Sequence, residues 1–202
     1  DKKNILEKYK IPPNRFILLY HGRPSIIRGL MLFLRALVFL KNKWDDLFVV
    51  LSLANVKDED VSLNDVKNFI KRYELESIIR VIVGKNDSVE MYNLADLVFF
   101  PFTEKGAAMC PPLSVLEAMA CGKVVISSDI EELGIKYVIR DGYNGFLIRP
   151  IEEDLITCVE NIREMRAEVF NQIANNARCT IQGQYLADVV SGKFIELIKS
   201  LC

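Results

Sequence analysis

A chain of 202 residues fits one domain, or two small ones, and is long enough to bury a core without disulfide or metal staples. Half of its residues are hydrophobic and 26% are charged, which excludes a disordered or fibrous protein. A formal net charge of −1 argues against binding nucleic acid by bulk charge. A single histidine, His21, argues against His-rich metal sites and a catalytic triad. Cys110, Cys121, Cys158, Cys179 and Cys202 form no zinc-spaced or CxxC pair and are odd in number, so they read as reduced thiols in a cytoplasmic compartment.

The balance of charge hides an asymmetry. Residues 1–43 hold ten basic residues against Asp1 and Glu7, a local +8, so the remainder carries −9. One reading is solvated helix surface. The other is an anionic ligand or membrane surface near the N-terminal third. The chain opens DKKN, without Met or an apolar signal core, as a processed protein or a piece of a longer one would. The most apolar stretch, Leu30 to Leu40, is too short for a bilayer, which takes about 20 helical residues, and reads as a buried helix with a polar stripe through Arg28, Arg35 and Lys43.

In chain order, residues 1–14 read as a linker helix. Residues 16–21 are a buried strand ended by Gly22, and 29–42 a helix. Residues 47–54 are a second strand. Asp60 or Ser62 caps a helix carrying Val66, Phe69, Ile70 and Tyr73. Residues 78–83 are a third strand closed by Gly84, and Ser88 caps a short helix through Leu94. Residues 97–100 form a fourth strand, stopped at Pro101, and 113–121 a helix followed by Gly122. Residues 124–127 form a fifth strand. Asp141-Gly142 and Asn144-Gly145 are turns before a sixth strand, 146–148. From Glu152 to the end the pattern is helical. Strands apolar on both faces, separated by helices, predict a doubly wound, Rossmann-like α/β core over 15–150 with C-terminal helices over 151–202.

Ligands of such sheets sit beyond the carboxyl ends of the strands. The first of these loops, Gly22 to Gly29, carries Arg23 and Arg28, whose guanidinium forks suit phosphate. It is neither a dinucleotide fingerprint nor a P-loop. The fourth loop runs from Pro101 to Pro112 and opens a helix, so the amides of Leu113 and Ser114 point at an anion position. Glu117, on an otherwise apolar helix, could accept hydrogen bonds from a sugar diol. The bland alternatives are surface arginines and an exposed helical glutamate. His21 is a strand-end side chain or lines the cleft.

Gly22-Arg23 with Arg28-Gly29, Ala95-Asp96-Leu97-Val98 running to Pro101, Leu116-Glu117-Ala118-Met119-Ala120-Cys121-Gly122 and Asp141-Gly142-Tyr143-Asn144-Gly145 occur here in order. Together they resemble the C-terminal half of the retaining, nucleotide-sugar-dependent glycosyltransferases of group 1, or family 4, over roughly residues 5–180. The resemblance implies one half of a GT-B fold, which binds the nucleotide-sugar donor, while an N-terminal acceptor domain outside these residues completes the enzyme. It implies that Arg23 and Arg28, with Gly22, serve the diphosphate, that Leu113 and Ser114 hold phosphate through their amides, that Glu117 binds the ribose, and that Gly84-Lys85 lies against the base. No metal or cofactor is implied. Four positions depart from the pattern. Met109 stands where a sugar-contacting glutamate is usual, Glu131-Glu132 replace paired glycines, and Tyr137 replaces a glutamate. Glu104, in a loop some four residues longer than usual, is a substitute for the missing carboxylate. The expected function is sugar transfer from a nucleoside diphosphate sugar to an acceptor hydroxyl. The partner is the chain's own acceptor domain, with a lipid-linked acceptor or peripheral membrane contact fitting the basic N-terminal third. The alternative is a degenerate, non-catalytic binding or scaffold module. This half is expected to be inactive alone.

Overall fold

The computed structural model of the chain describes residues 2–54, 60–84 and 86–201. Six strands form one parallel sheet: β1 (Phe16–Gly22), β2 (Leu47–Leu53), β3 (Ile79–Val83), β4 (Leu97–Phe100), β5 (Val124–Ser128) and β6 (Phe146–Ile148). Their spatial order is β3-β2-β1-β4-β5-β6, so the winding reverses between β1 and β4.

Every residue of β2 is buried, as the apolar run predicts for a strand covered on both faces. Alternation along β1 splits the core in two. Leu18 and Tyr20 face one layer with α2 (Leu30–Leu40), α3 (Leu63–Arg72) and α6 (Glu152–Arg163). Ile17 and Leu19 face the other, with α1 (Lys2–Lys8), α4 (Ser88–Leu94), α5 (Leu113–Ala120) and part of α7 (Ala167–Gln184). The apolar α2 is buried on most sides, as read. Arg35 is exposed on it, but so is Phe39, and Arg28 precedes the helix rather than lying on it. The C-terminal helices expected over 151–202 number three among the described residues. Interruptions of the helix near Met165 and Tyr185 separate α6, α7 and α8 (Ala187–Leu201). No residue of α8 is buried, and Val190, Phe194, Leu197 and Leu201 stay exposed along it at helical spacing.

The basic excess of the N-terminal third is met largely within the chain. Lys2 pairs with Asp96 at 3.1 Å, Lys8 with Glu90 at 2.6 Å and Lys43 with Glu160 at 2.6 Å. Lys41 lies 3.9 Å from Glu74, and Arg35 pairs with Glu152. No helix among the described residues is long and apolar enough to cross a membrane.

The Asp141-Gly-Tyr-Asn-Gly turn lies on the amino side of β6, away from the carboxyl edge of the sheet. Its work is structural. The buried Asn144 accepts from the Arg140 amide at 2.7 Å and donates to the Val138 carbonyl and to Thr180 of α7, while the Asp141 carboxylate accepts from the Leu147 amide.

Candidate functional site

The reversal between β1 and β4 opens a narrow cleft lined by Tyr20, His21, Gly22, Arg28, Phe99, Phe100 and Phe102. This is where a doubly wound sheet holds its ligand. The Gly22–Gly29 loop on its rim is held through its backbone and the Ser25 hydroxyl. The Tyr20 hydroxyl donates to the Arg23 carbonyl at 2.8 Å and approaches the Arg28 carbonyl at 3.5 Å. Asp60 accepts from the Ile26 amide at 3.1 Å and from the Ser25 hydroxyl at 3.4 Å. The guanidinium of Arg28 lies beside Gly22, about 3.9 Å from where a β-carbon there would stand.

The fourth loop is pinned to the first. Thr103 donates its amide to the Ile27 carbonyl at 2.9 Å and its hydroxyl to the Ile26 carbonyl at 3.2 Å. Glu104 follows, exposed, at the start of a 3₁₀ turn over Lys105–Ala107. Met109 is 76% exposed at the loop's crest, so the position of the usual carboxylate presents an apolar side chain to solvent. Cys110 packs against Gly134 of the loop after β5, where a β-carbon would meet its sulfur at 2.6 Å. Gly134 also has φ +62°, a conformation that favours glycine.

Pro112 caps α5 without a side-chain hydrogen bond, leaving the first-turn amides of Leu113 and Ser114 directed outward with the positive end of the helix dipole. Leu113 and Glu117 are exposed and Ser114 is half-buried. Cys121 follows one turn after Glu117. Burial pushes its thiol up, so it stays protonated.

His21 is both a strand-end residue and part of the cleft. Its Nδ1 lies 2.9 Å from the Ser52 hydroxyl and its Nε2 3.1 Å from the Ser88 hydroxyl, and burial lowers its pKa. Asn86 donates to the same Ser52 oxygen at 3.0 Å, drawing the segment after Gly84 toward β1 and β2. Gly84 itself ends β3, its amide bonded to the Leu53 carbonyl at 3.0 Å. Lys85 lies outside the described residues. Ser88 does not cap α4, as the sequence suggested. Asp87 takes the Val89 and Glu90 amides, which releases the Ser88 hydroxyl for His21.

Four contributors escaped the sequence reading: Ser52, Asn86, Asp60 in its loop-holding role, and Tyr92. Ser52 had a signal, being a polar residue near the carboxyl end of an otherwise apolar strand. Tyr92 on α4 had none. Its ring meets His21 edge-on at 5.4 Å and is fully buried.

The sequence profile of the glycosyl transferases group 1 matches residues 1–179. The lipopolysaccharide 1,2-N-acetylglucosaminetransferase of Salmonella typhimurium is 28% identical over 98% of this chain and 51% of its own length. The chain spans about half the length of the curated relatives it matches most extensively. Among solved structures, HepE of Anabaena in complex with UDP superposes with a TM-score of 0.84 at 20% identity, over 98% of this chain and 52% of that one. The C-terminal domain of the group 1 protein LpcC from Francisella tularensis, a structure of that domain by itself, gives a TM-score of 0.75 at 22% identity over 93% of this chain and 94% of that one.

Proposed function

The chain belongs to the group 1 glycosyl transferases, and from that premise we propose that it is the donor-binding half of a retaining, metal-independent enzyme that moves a sugar from a nucleoside diphosphate sugar to an acceptor hydroxyl. The observation that carries the reading is the Gly22–Gly29 loop, with Arg23 and Arg28, held against the fourth loop at the reversal between β1 and β4. HepE of Anabaena, of the same fold, is in complex with UDP and with UDP-glucose, which supports a nucleotide in that cleft.

In this reading the bond from the sugar's anomeric carbon to the diphosphate oxygen breaks, and negative charge gathers on the leaving diphosphate. Arg23 and Arg28 meet that charge with forked donors, and the outward amides of Leu113 and Ser114 add to them. Glu117 accepts hydrogen bonds from the ribose. Gly22, at the strand end beside the Arg28 guanidinium, lets the diphosphate approach, and Gly84-Lys85 takes the base. Met109 contacts the donor sugar through an apolar surface. The acceptor, lipid-linked or soluble, is held by an N-terminal domain, without which this half does not turn over. A cytoplasmic setting, at a membrane face where the acceptor is lipid-linked, agrees with free thiols at Cys110, Cys121, Cys158 and Cys179.

Calorimetry with UDP, GDP and ADP tests the site. One of them should bind without added metal and in the presence of a chelator. Absence of binding by all three at millimolar concentration would reject the donor-binding reading and favour a scaffold module. Transfer of sugar by this half alone would overturn its dependence on a second domain.

A further inference from the structure

Tyr92 is the one large polar side chain that the site buries and leaves without a protein hydrogen bond among the described residues. Its residue exposure is 0%, and no donor or acceptor meets its hydroxyl at hydrogen-bonding geometry. A phenol in that position, on a seven-residue helix, costs free energy unless something answers it. Its neighbours define a direction. One edge of the ring meets His21 at the tip of β1. α4 packs against α5, and the acidic group facing the phenol is Glu117, with Cys121 one turn beyond it. Glu117 is exposed, while the hydroxyl it faces is sealed from solvent.

We propose that Tyr92 is the positioning residue for Glu117: its buried phenol donates to one carboxylate oxygen and thereby turns the other toward the ribose hydroxyls of the donor nucleotide. A glutamate on an exposed helix face has several rotamers to lose on binding a diol. A charge-assisted bond from a fixed, desolvated donor selects one of them in advance. The His21 ring, itself held by Ser52 and Ser88, braces the tyrosine from the strand side. This inference rests on the assignment of Glu117 to the ribose in the proposed function.

The test is a double-mutant cycle on the full 202-residue chain, read by calorimetry with UDP and with 2′,3′-dideoxy-UDP. Tyr92→Phe should weaken UDP about five- to tenfold and leave dideoxy-UDP unchanged. In the Glu117→Ala background, whose exposed site tolerates the change and which leaves the phenol no acceptor, the same Phe substitution should have no further effect. Thermal unfolding of Tyr92→Phe should stay close to the parent, because the ring keeps its packing and the one bond lost is to an exposed carboxylate. Equal weakening of both nucleotides, no weakening of either, or an undiminished Phe effect in the Glu117→Ala background would overturn the role of Tyr92. Parent protein that binds UDP and dideoxy-UDP equally would instead remove Glu117 from the ribose, and the inference with it. Parent protein that binds no nucleotide would reject the proposed function as a whole.

Discussion

Gly29 and Pro101 touch backbone to backbone: a β-carbon at position 29 would stand 1.7 Å from the Pro101 carbonyl oxygen. The first and fourth loops of the site are thus in contact at a point where no side chain fits. Gly29 also adopts φ +76°, so an alanine there meets both a clash with backbone and an unfavourable conformation. Gly29→Ala should destabilise the fold by more than about 2 kcal/mol, a lowering of several degrees in thermal unfolding. An unchanged Tm would mean that the loops part readily.

The arginines face the opposite situation. Tyr20 and Asp60 hold their loop through the Arg23 and Arg28 carbonyls, the Ile26 amide and the Ser25 hydroxyl, none of which a side-chain truncation removes. Arg23→Ala with Arg28→Ala should leave those loop contacts in place while losing at least about a hundredfold in nucleoside diphosphate affinity, since each charge-assisted bond contributes about 1.5–3 kcal/mol. Affinity that survives the double substitution would move the diphosphate elsewhere.

His21 gives the fold a pH dependence of known sign. Burial lowers its pKa in the folded chain below the ordinary 6.5, so the unfolded chain takes up the proton first. The groups facing the ring, Ser52, Ser88 and Tyr92, offer no carboxylate to welcome that proton. The contribution is present in full above pH 6.5 and is lost as pH falls through the folded pKa, with a slope no steeper than about 1.4 kcal/mol per pH unit. Denaturant titrations from pH 7.5 down to pH 5 should show this loss, and His21→Gln should flatten it. A parent curve that is already flat would contradict the burial of a neutral ring.

Ser62 opens α3 with a reciprocal cap. Its hydroxyl accepts the Asp65 amide at 3.1 Å and its own amide donates to the Asp65 carboxylate at 3.0 Å. Ser62→Ala should cost about 1 kcal/mol, some 2–4 °C in Tm for a chain of this size, with nucleotide affinity untouched. A change in affinity would tie this cap to the site through Asp60 and the first loop.

How legible this was depended on the range of the interaction. Strand positions came from apolar runs bounded by Gly22, Gly84 and Pro101, all local signals, and the structure moves their ends by a residue or so. Arg23, Arg28 and Glu117 stood out because charged groups beside buried strands and on an apolar helix are conspicuous. The alternatives left open between Asp60 and Ser62, and the choice of Ser88 over Asp87, turned on partners distant in sequence. Asp60 is drawn to Ile26, and Ser88 to His21. Tyr92 was invisible for the same reason, since its meaning lies in a contact between α4 and α5. The Asp141–Gly145 turn was legible as a turn, but its place in the fold was not. It weighed heavily in the family resemblance yet lies away from the cleft, where Asn144 ties it to α7.

The ion pairs that join the first 43 residues to Asp96, Glu90, Glu152, Glu74 and Glu160 make the chain two oppositely charged partners on one thread. Exposed pairs of this kind add little to final stability. Their consequence lies earlier, in the collapsing chain, where attraction between segments far apart in sequence biases encounters toward native neighbours before any strand has paired. Added salt, which shortens the reach of that attraction, acts on how fast this sheet assembles around β1 more than on how firmly it holds once assembled.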